Sequence, residues 1–190
     1  GLGSETSDDV ARGRFTRCKK TKEALSVGEA ELSMERRLGS SEESVLIVQG
    51  NLANMYRTLG RFEYALQMRR DVLAGNLRLH GEEHEDTLMD AGNFVINLLD
   101  LKRFEEAKRL LRKVMPVARR VFGTEHERTL SLQEDFARAM LLGDSSPEEK
   151  RNALLVLEDT LGVMRRVLGK SHPECMRVQG ALLASKRRFA

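Results

Sequence analysis

The sequence predicts an all-α fold, an α-α superhelix of about seven antiparallel helices. The main observation is an internal repeat, because residues 60–88 recur as residues 102–130, a step of 42. Matching pairs along the two segments are Phe62 and Phe104, Ala65 and Ala107, Gly81 and Gly123, His84 and His126, and Leu88 and Leu130. A fixed period of this length is typical of stacked helical repeats. The composition agrees, since Pro occurs only three times and apolar residues recur at helical spacing.

The start of the chain predicts a tail followed by one helix. Gly, Ser, Thr and Asp dominate the opening residues, so we expect a flexible tail over residues 1–13 and the repeat array over 14–190. Leu25, Leu32 and Leu38 belong to one broad apolar face and predict a helix over 14–38. Gly39 ends that helix.

The remaining chain predicts three helical hairpins and a last single helix. The hairpins are expected at residues 44–80, 86–122 and 128–168, and the last helix at 174–187. Within the first hairpin, Gly60 is followed almost at once by Phe62, and so tight a connection joins antiparallel neighbours. The period lengthens to 46 between His126 and His172, around a GDSSP loop. Pro116 is expected to bend its helix without dividing it.

Composition excludes several functional classes. The formal net charge is only +3, from 32 basic and 29 acidic residues that alternate along the predicted helices, so nucleic-acid binding is not favoured. The sequence contains no run of about 18 apolar residues, so we expect no membrane-spanning helix. Cys18 and Cys175 are far apart and indicate free thiols in a reducing compartment. We therefore expect an intracellular, cytoplasmic protein, with an organelle as the alternative if the N-terminus is processed.

The sequence contains no pattern that predicts a catalytic, cofactor or metal site. His80 and His84 are four residues apart, but His84 follows a helix-ending Gly, so packing or helix capping is the preferred interpretation over metal binding. Arg36, Arg78, Arg120 and Arg166 recur near helix C-termini, where positive charge is favourable; a basic stripe for acidic partners is the alternative. We expect neither an enzyme nor a bound cofactor.

The repeat resembles a known family. Residues 51–66, NLANMYRTLGRFEYAL, resemble the tetratricopeptide pattern NLAxxYxxxGxYxxAL. The 42-residue period and the connector GxxHxxTL are similar to those of kinesin light chains, and GKSHPE at 169–174 is the nearest match to that connector. Armadillo or HEAT repeats are the alternative, but the Gly-Arg-Phe corner followed by Ala favours tetratricopeptide repeats.

The resemblance implies a binding groove and its residues. The first helix of each hairpin lines the concave groove in this family, and an Asn holds an extended peptide by its backbone. The matching positions here are Asn51, Asn93, Asp135 and Ala181, of which the last two depart from the pattern. Asn54 and Arg138 share a second groove position, three residues further on. The expected site is therefore Asn51, Asn54, Asn93, Asp135 and Arg138.

Glycine precedes this position in three of the four helices. Gly50, Gly92 and Gly180 recur although Gly inside a helix costs roughly 1 kcal/mol relative to Ala. Close helix packing is the simpler explanation, and greater groove depth is the other.

We expect from this a non-enzymatic scaffold or adaptor that binds a protein or an extended peptide in its groove. The alternative is a structural or regulatory module of a larger protein or multi-subunit complex, which docks by its edges and its tail.

Overall fold

A computed structural model describes residues 7–189, with side chains described from residue 22 onward. Eight helices occupy this part of the chain, the number that the expected single helix, three hairpins and last helix make together. They are α1 (Ser7–Leu38), α2 (Glu42–Thr58), α3 (Phe62–His80), α4 (Glu85–Asp100), α5 (Phe104–Phe122), α6 (Glu127–Leu142), α7 (Pro147–Val167) and α8 (Pro173–Phe189). Among the described residues, no helix combines the length and the apolar character that crossing a membrane requires.

The helix pairs α2/α3, α4/α5 and α6/α7 span residues 42–80, 85–122 and 127–167, where hairpins are expected at 44–80, 86–122 and 128–168. α1 begins at Ser7, whereas a helix was expected only from residue 14, after a tail over 1–13. Residues 1–6 of that tail lie outside the described part of the chain. α5 continues through Pro116 as a single helix.

Short connections between helices are closed by residues in the left-handed backbone region. Gly60 has φ +74° after α2, a conformation that Gly adopts without steric cost. One repeat later the same place is taken by Lys102, which has φ +58°. The backbone N–H groups of Leu101 and Lys102 still donate to α4 carbonyls. The repeat therefore keeps its turn here at the expense of backbone strain on a side chain with a Cβ.

The chain divides into two compact units, Gly1–Leu79 and His80–Ala190. In the described part of the first unit, α1 packs on α2, and the core contains Leu25, Leu32, Val48, Leu52, Tyr56 and Ala65. Leu46 of α2 packs against α3 at Gly75, where an added Cβ would lie 2.5 Å from a Leu46 methyl carbon. Gly75 is thus a point of close helix contact.

The second unit packs α4 to α8 in chain order. α5 packs on α4 and α6, and α7 packs on α6 and α8. Its main core contains Leu130, Ala137, Leu141, Ala153, Leu157, Leu161, Met164, Cys175, Val178 and Leu182. Cys175 is a buried free thiol in that core. Residues of α4 and α6 line a cleft in this unit.

Candidate functional site

The two units each contain a cleft, and the predicted site residues lie in or beside these clefts. In the first unit, Asn51 and Asn54 line a cavity of about 280 Å³ between α1 and α2. The other lining residues are Gly28, Glu31, Val48, Leu52 and Met55. In the second unit, Asn93 and Asp135 line a cleft of about 580 Å³ between α4 and α6. Arg138 lies next to this second cleft and contacts Asp135.

In the first unit, one of the two predicted amides already has an intramolecular partner. The Asn54 side-chain oxygen accepts a hydrogen bond of 2.6 Å from Arg69 Nη2 of α3. Arg69 is only 3% exposed, so this bond belongs to the packing of α2 on α3. The Asn51 side chain is exposed and forms no hydrogen bond with another residue in the described part of the chain. Asn51 is therefore better placed than Asn54 to bind a ligand.

The α4/α6 cleft has an apolar floor with polar residues around it. Leu88 of α4 and Leu132 of α6 are almost fully buried, and Met89, Ile96 and Phe122 add apolar surface. The remaining lining residues are Glu85, Gly92, Asn93, His126, Glu127, Arg128, Ser131 and Asp135. The Asn93 amide is half-buried and forms no hydrogen bond with a described residue. It can both donate to and accept from a peptide backbone.

The charges of this cleft are unequal in number. Glu85, Glu127 and Asp135 carry carboxyl groups, and Arg128 is the guanidinium among the described lining residues. Arg128 packs over the Phe122 ring, 5.8 Å from its centroid. His126 Nδ1 accepts the backbone N–H of Arg128 at 3.2 Å and so caps α6. The Arg128 guanidinium and the His126 ring therefore both contact other residues that line the cleft.

Asp135 is the most perturbed titratable group of the site. It is 5% exposed, and burial raises its carboxyl pKa from the usual 3.8 to about 7. The neighbouring Glu134 raises this pKa further, while Arg138 and Arg177 lower it. Arg138 Nη1 donates to Asp135 Oδ1 at 3.0 Å. The pKa places Asp135 between its neutral and ionised forms near neutral pH.

An ion pair that the sequence pattern does not reveal connects α6 to α8. Arg177 of α8 donates two hydrogen bonds, of 2.8 and 2.6 Å, to the two carboxylate oxygens of Glu134. Glu134 is 1% exposed, and Arg177 also pairs with Glu174. These contacts raise the pKa of the Arg177 guanidinium. The pair connects two helices that are not consecutive, so helical spacing within one segment does not reveal it.

Close packing does not explain the recurrent glycines, contrary to the simpler expectation. An added Cβ at Gly92 would meet Leu132 at 3.6 Å, an ordinary contact, and one at Gly180 would meet nothing within 4 Å. At Gly50 the nearest group is the end of the Arg69 side chain, at 3.4 Å. Gly92 instead leaves open space in the α4/α6 cleft, which it lines. Groove depth is the better explanation at this position.

The recurrent histidines cap helices. Nδ1 of His84, His126 and His172 accepts the backbone N–H two residues further on, at 3.3, 3.2 and 3.4 Å. This satisfies one of the unpaired donors at each helix start. The described residues contain no group of three His, Cys, Asp or Glu side chains suited to a metal ion.

Three of the four recurrent arginines, at positions 78, 120 and 166, form ion pairs instead of a free basic stripe. Arg78 pairs with Glu42, Arg120 with Glu83 at 2.5 Å, and Arg166 with Glu125. Each pair connects the end of the second helix of a hairpin to the first residue of the first helix or to the connector just before it. All these side chains are well exposed, so each pair contributes little to stability.

Comparison with known proteins identifies the repeat. A tetratricopeptide repeat family model matches residues 45–86 and 91–128. A crystal structure of a variant of a Podosopora anserina putative kinesin light chain, with nearly identical TPR-like repeats, is similar with a TM-score of 0.71 and 20% identity, over 97% of this chain and 88% of that one. Another Podosopora anserina structure of this kind has a TM-score of 0.66 and 20% identity, over 94% and 93%.

A third solved structure has the same fold. BtubC (BKLC) from P. vanneervenii is similar with a TM-score of 0.70 and 17% identity, over 96% of this chain and 73% of that one. At these identities the similarity concerns the fold alone. No curated protein matches the chain.

Proposed function

Because the chain is a tetratricopeptide repeat protein, and this fold serves in general as a scaffold for protein interactions, we propose that it binds an extended peptide of a partner protein. Each unit has its own binding position along the first helix of a hairpin, with Asn51 as the contact in the first unit and Asn93 and Asp135 as the contacts in the second. The observation that carries this proposal is the α4/α6 cleft, where Asn93 has an amide without a partner among the described residues. The chain works as a non-enzymatic adaptor in the cytoplasm under this proposal.

The chemistry of the two clefts supports a peptide more than a small polar molecule. Both clefts are lined by apolar side chains together with hydrogen-bonding side chains, a combination that suits the apolar side chains and the polar backbone of a peptide. An amide such as Asn51 or Asn93 pairs with either backbone group of a peptide, because it has both a donor and an acceptor. Apolar side chains of the ligand would cover the surface around Leu52 or Leu132, where burial contributes about 25 cal/mol per Å².

A variant series tests the proposal directly. A random peptide library displayed on phage is selected on the wild-type chain, and the selected peptides are measured by fluorescence anisotropy. The variant Asn51→Ala/Asn93→Ala/Arg138→Ala is expected to weaken binding at least about tenfold, a loss of about 1.4 kcal/mol. Asn152→Ala, an exposed change on α7 outside both clefts, serves as the matched control. Circular dichroism checks that each variant is folded.

The alternative, docking by the edges of the repeat array, has one supporting observation. Leu155 of α7 and Met176 and Leu183 of α8 are large apolar residues that are at least half exposed. A ligand that binds the triple variant as tightly as the wild type refutes the groove model. If that binding is then lost in Leu155→Glu/Leu183→Glu, the edge of α7 and α8 is the docking surface.

A further inference from the structure

The α6/α8 contact and the α4/α6 cleft occupy equivalent places in successive repeats. α6 begins 42 residues after α4, and α8 begins 46 residues after α6. Glu134 therefore corresponds to Gly92, and Arg177 corresponds to Ser131. Between α6 and α8, the Glu134–Arg177 pair closes the contact with two short hydrogen bonds. Between α4 and α6, the corresponding Gly92 and Ser131 are both small, and both line the open cleft.

The open cleft lacks both members of the Glu134–Arg177 pair, but carboxyl groups from other positions are present among its described lining residues. Asp135, Glu85 and Glu127 line it, whereas Arg128 is stacked on Phe122. The Asp135 carboxylate accepts a hydrogen bond at Oδ1 from Arg138. A carboxylate has about four acceptor sites, so capacity for a further donor remains. The cleft thus has the shape and the charge to accept a cationic side chain.

We propose, as an extension of the peptide-binding function above, that the α4/α6 cleft selects a peptide with a basic residue next to apolar residues. An arginine or lysine of the ligand enters beside Gly92 and Ser131 and donates to Asp135. Its apolar neighbours cover Leu132 and Met89. A guanidinium fits a carboxylate with two donors in a plane, so arginine is preferred to lysine.

The test uses the complete chain and four short synthetic peptides with a fluorescent label. Each peptide alternates leucine with one other residue, which is arginine, lysine, citrulline or glutamate. Citrulline keeps the shape of arginine without its charge. The arginine peptide is expected to bind at least about tenfold more tightly than the citrulline and glutamate peptides. Equal or tighter binding of the glutamate peptide overturns the proposal.

A designed closure of the cleft identifies where the arginine peptide binds. Gly92→Glu/Ser131→Arg recreates the Glu134–Arg177 pair between α4 and α6 without changing the net charge. It is expected to abolish the preference for arginine. Gly92→Ala is a milder filling change that also favours the helix. Its matched control is Gly162→Ala on α7, where an added Cβ meets nothing within 4 Å. An unchanged preference in both Gly92 variants overturns the proposal.

The two proposals fail in different ways. If the phage selection yields peptides that depend on Asn51 and Asn93 but carry acidic residues, peptide binding stands and the basic preference is wrong. If no peptide of any composition depends on Asn51, Asn93 or the closed cleft, both proposals are wrong. Asp135→Asn adds a specific measurement, because it should reduce the difference in affinity between the arginine and citrulline peptides while leaving the leucine contacts in place.

Discussion

Replacing Asp135 by Asn should change how stability depends on pH. Folding raises the pKa of this carboxyl from 3.8 to about 7, so the native protein keeps the proton to higher pH than the unfolded chain does. The contribution of Asp135 to stability is therefore full at acidic pH and is lost as pH rises through about 4 to 7. Asn has no such proton, and its stability contribution does not titrate.

The size of this effect follows from the shift. About three pKa units correspond to roughly 4 kcal/mol at 1.36 kcal/mol per unit, once both transitions are complete. Between about pH 5 and pH 8, part of the shift is titrated, and the wild type should lose roughly 2–3 kcal/mol relative to Asp135→Asn. For a chain of this size that is a change of about 5–10 °C in the difference between the two melting temperatures.

The measurement is thermal unfolding of both proteins across this pH range, followed by circular dichroism. The variant minus wild-type difference removes the contributions of titratable groups that both share. Glu134, Arg138 and Arg177 surround Asp135 and stay in place in the variant. Asp144→Asn, an exposed change in the loop before α7, is the matched control for replacing a carboxyl by an amide. Parallel curves for Asp135→Asn and the wild type would refute the assignment of a raised pKa.

Three further changes test the fold, each by the free energy of unfolding in urea. Leu157→Ala empties a fully buried core position and should cost about 2–5 kcal/mol, whereas Leu155→Ala, 59% exposed, should cost less than about 0.5. His126→Ala removes the cap of α6 and should cost about 1 kcal/mol, and His126→Asn should restore it. Lys102→Gly relieves the positive φ and should stabilise by up to about 1 kcal/mol, but Lys102→Ala should not. Equal effects within a matched pair would contradict the corresponding mechanism.

Repetition made the architecture predictable from the sequence. Residues 60–88 and 102–130 contain the same tight turn, helix and connector. Each local signal therefore occurs twice, and the two occurrences support one structural prediction. Helical spacing and Gly signals are short-range properties, so they placed the hairpins from α2 to α7 close to their observed bounds. The start of α1 is the exception, because the composition of the opening residues predicts no helix where the structure has one from Ser7.

The candidate site was predictable only in part. The resemblance to tetratricopeptide repeats implied the position of Asn51, and the repeat extended it to Asn93 and Asp135; these residues line the clefts. The repeat did not reveal that Asn54 is engaged by Arg69 or that Arg138 is engaged by Asp135. These partners come from a neighbouring helix or from the next turn, and several polar residues in each helix could have formed them.

The sequence by itself determined the fold class, the order of the helices and the register of the repeat, because each depends on spacing along the chain. Only the tertiary structure decided which equivalent positions are open and which are closed. Glu134 and Arg177 are 43 residues apart and become partners only when α8 lies against α6. The burial that raises the pKa of Asp135 has the same origin, since it depends on what surrounds the carboxyl in three dimensions and not on its neighbours along the chain.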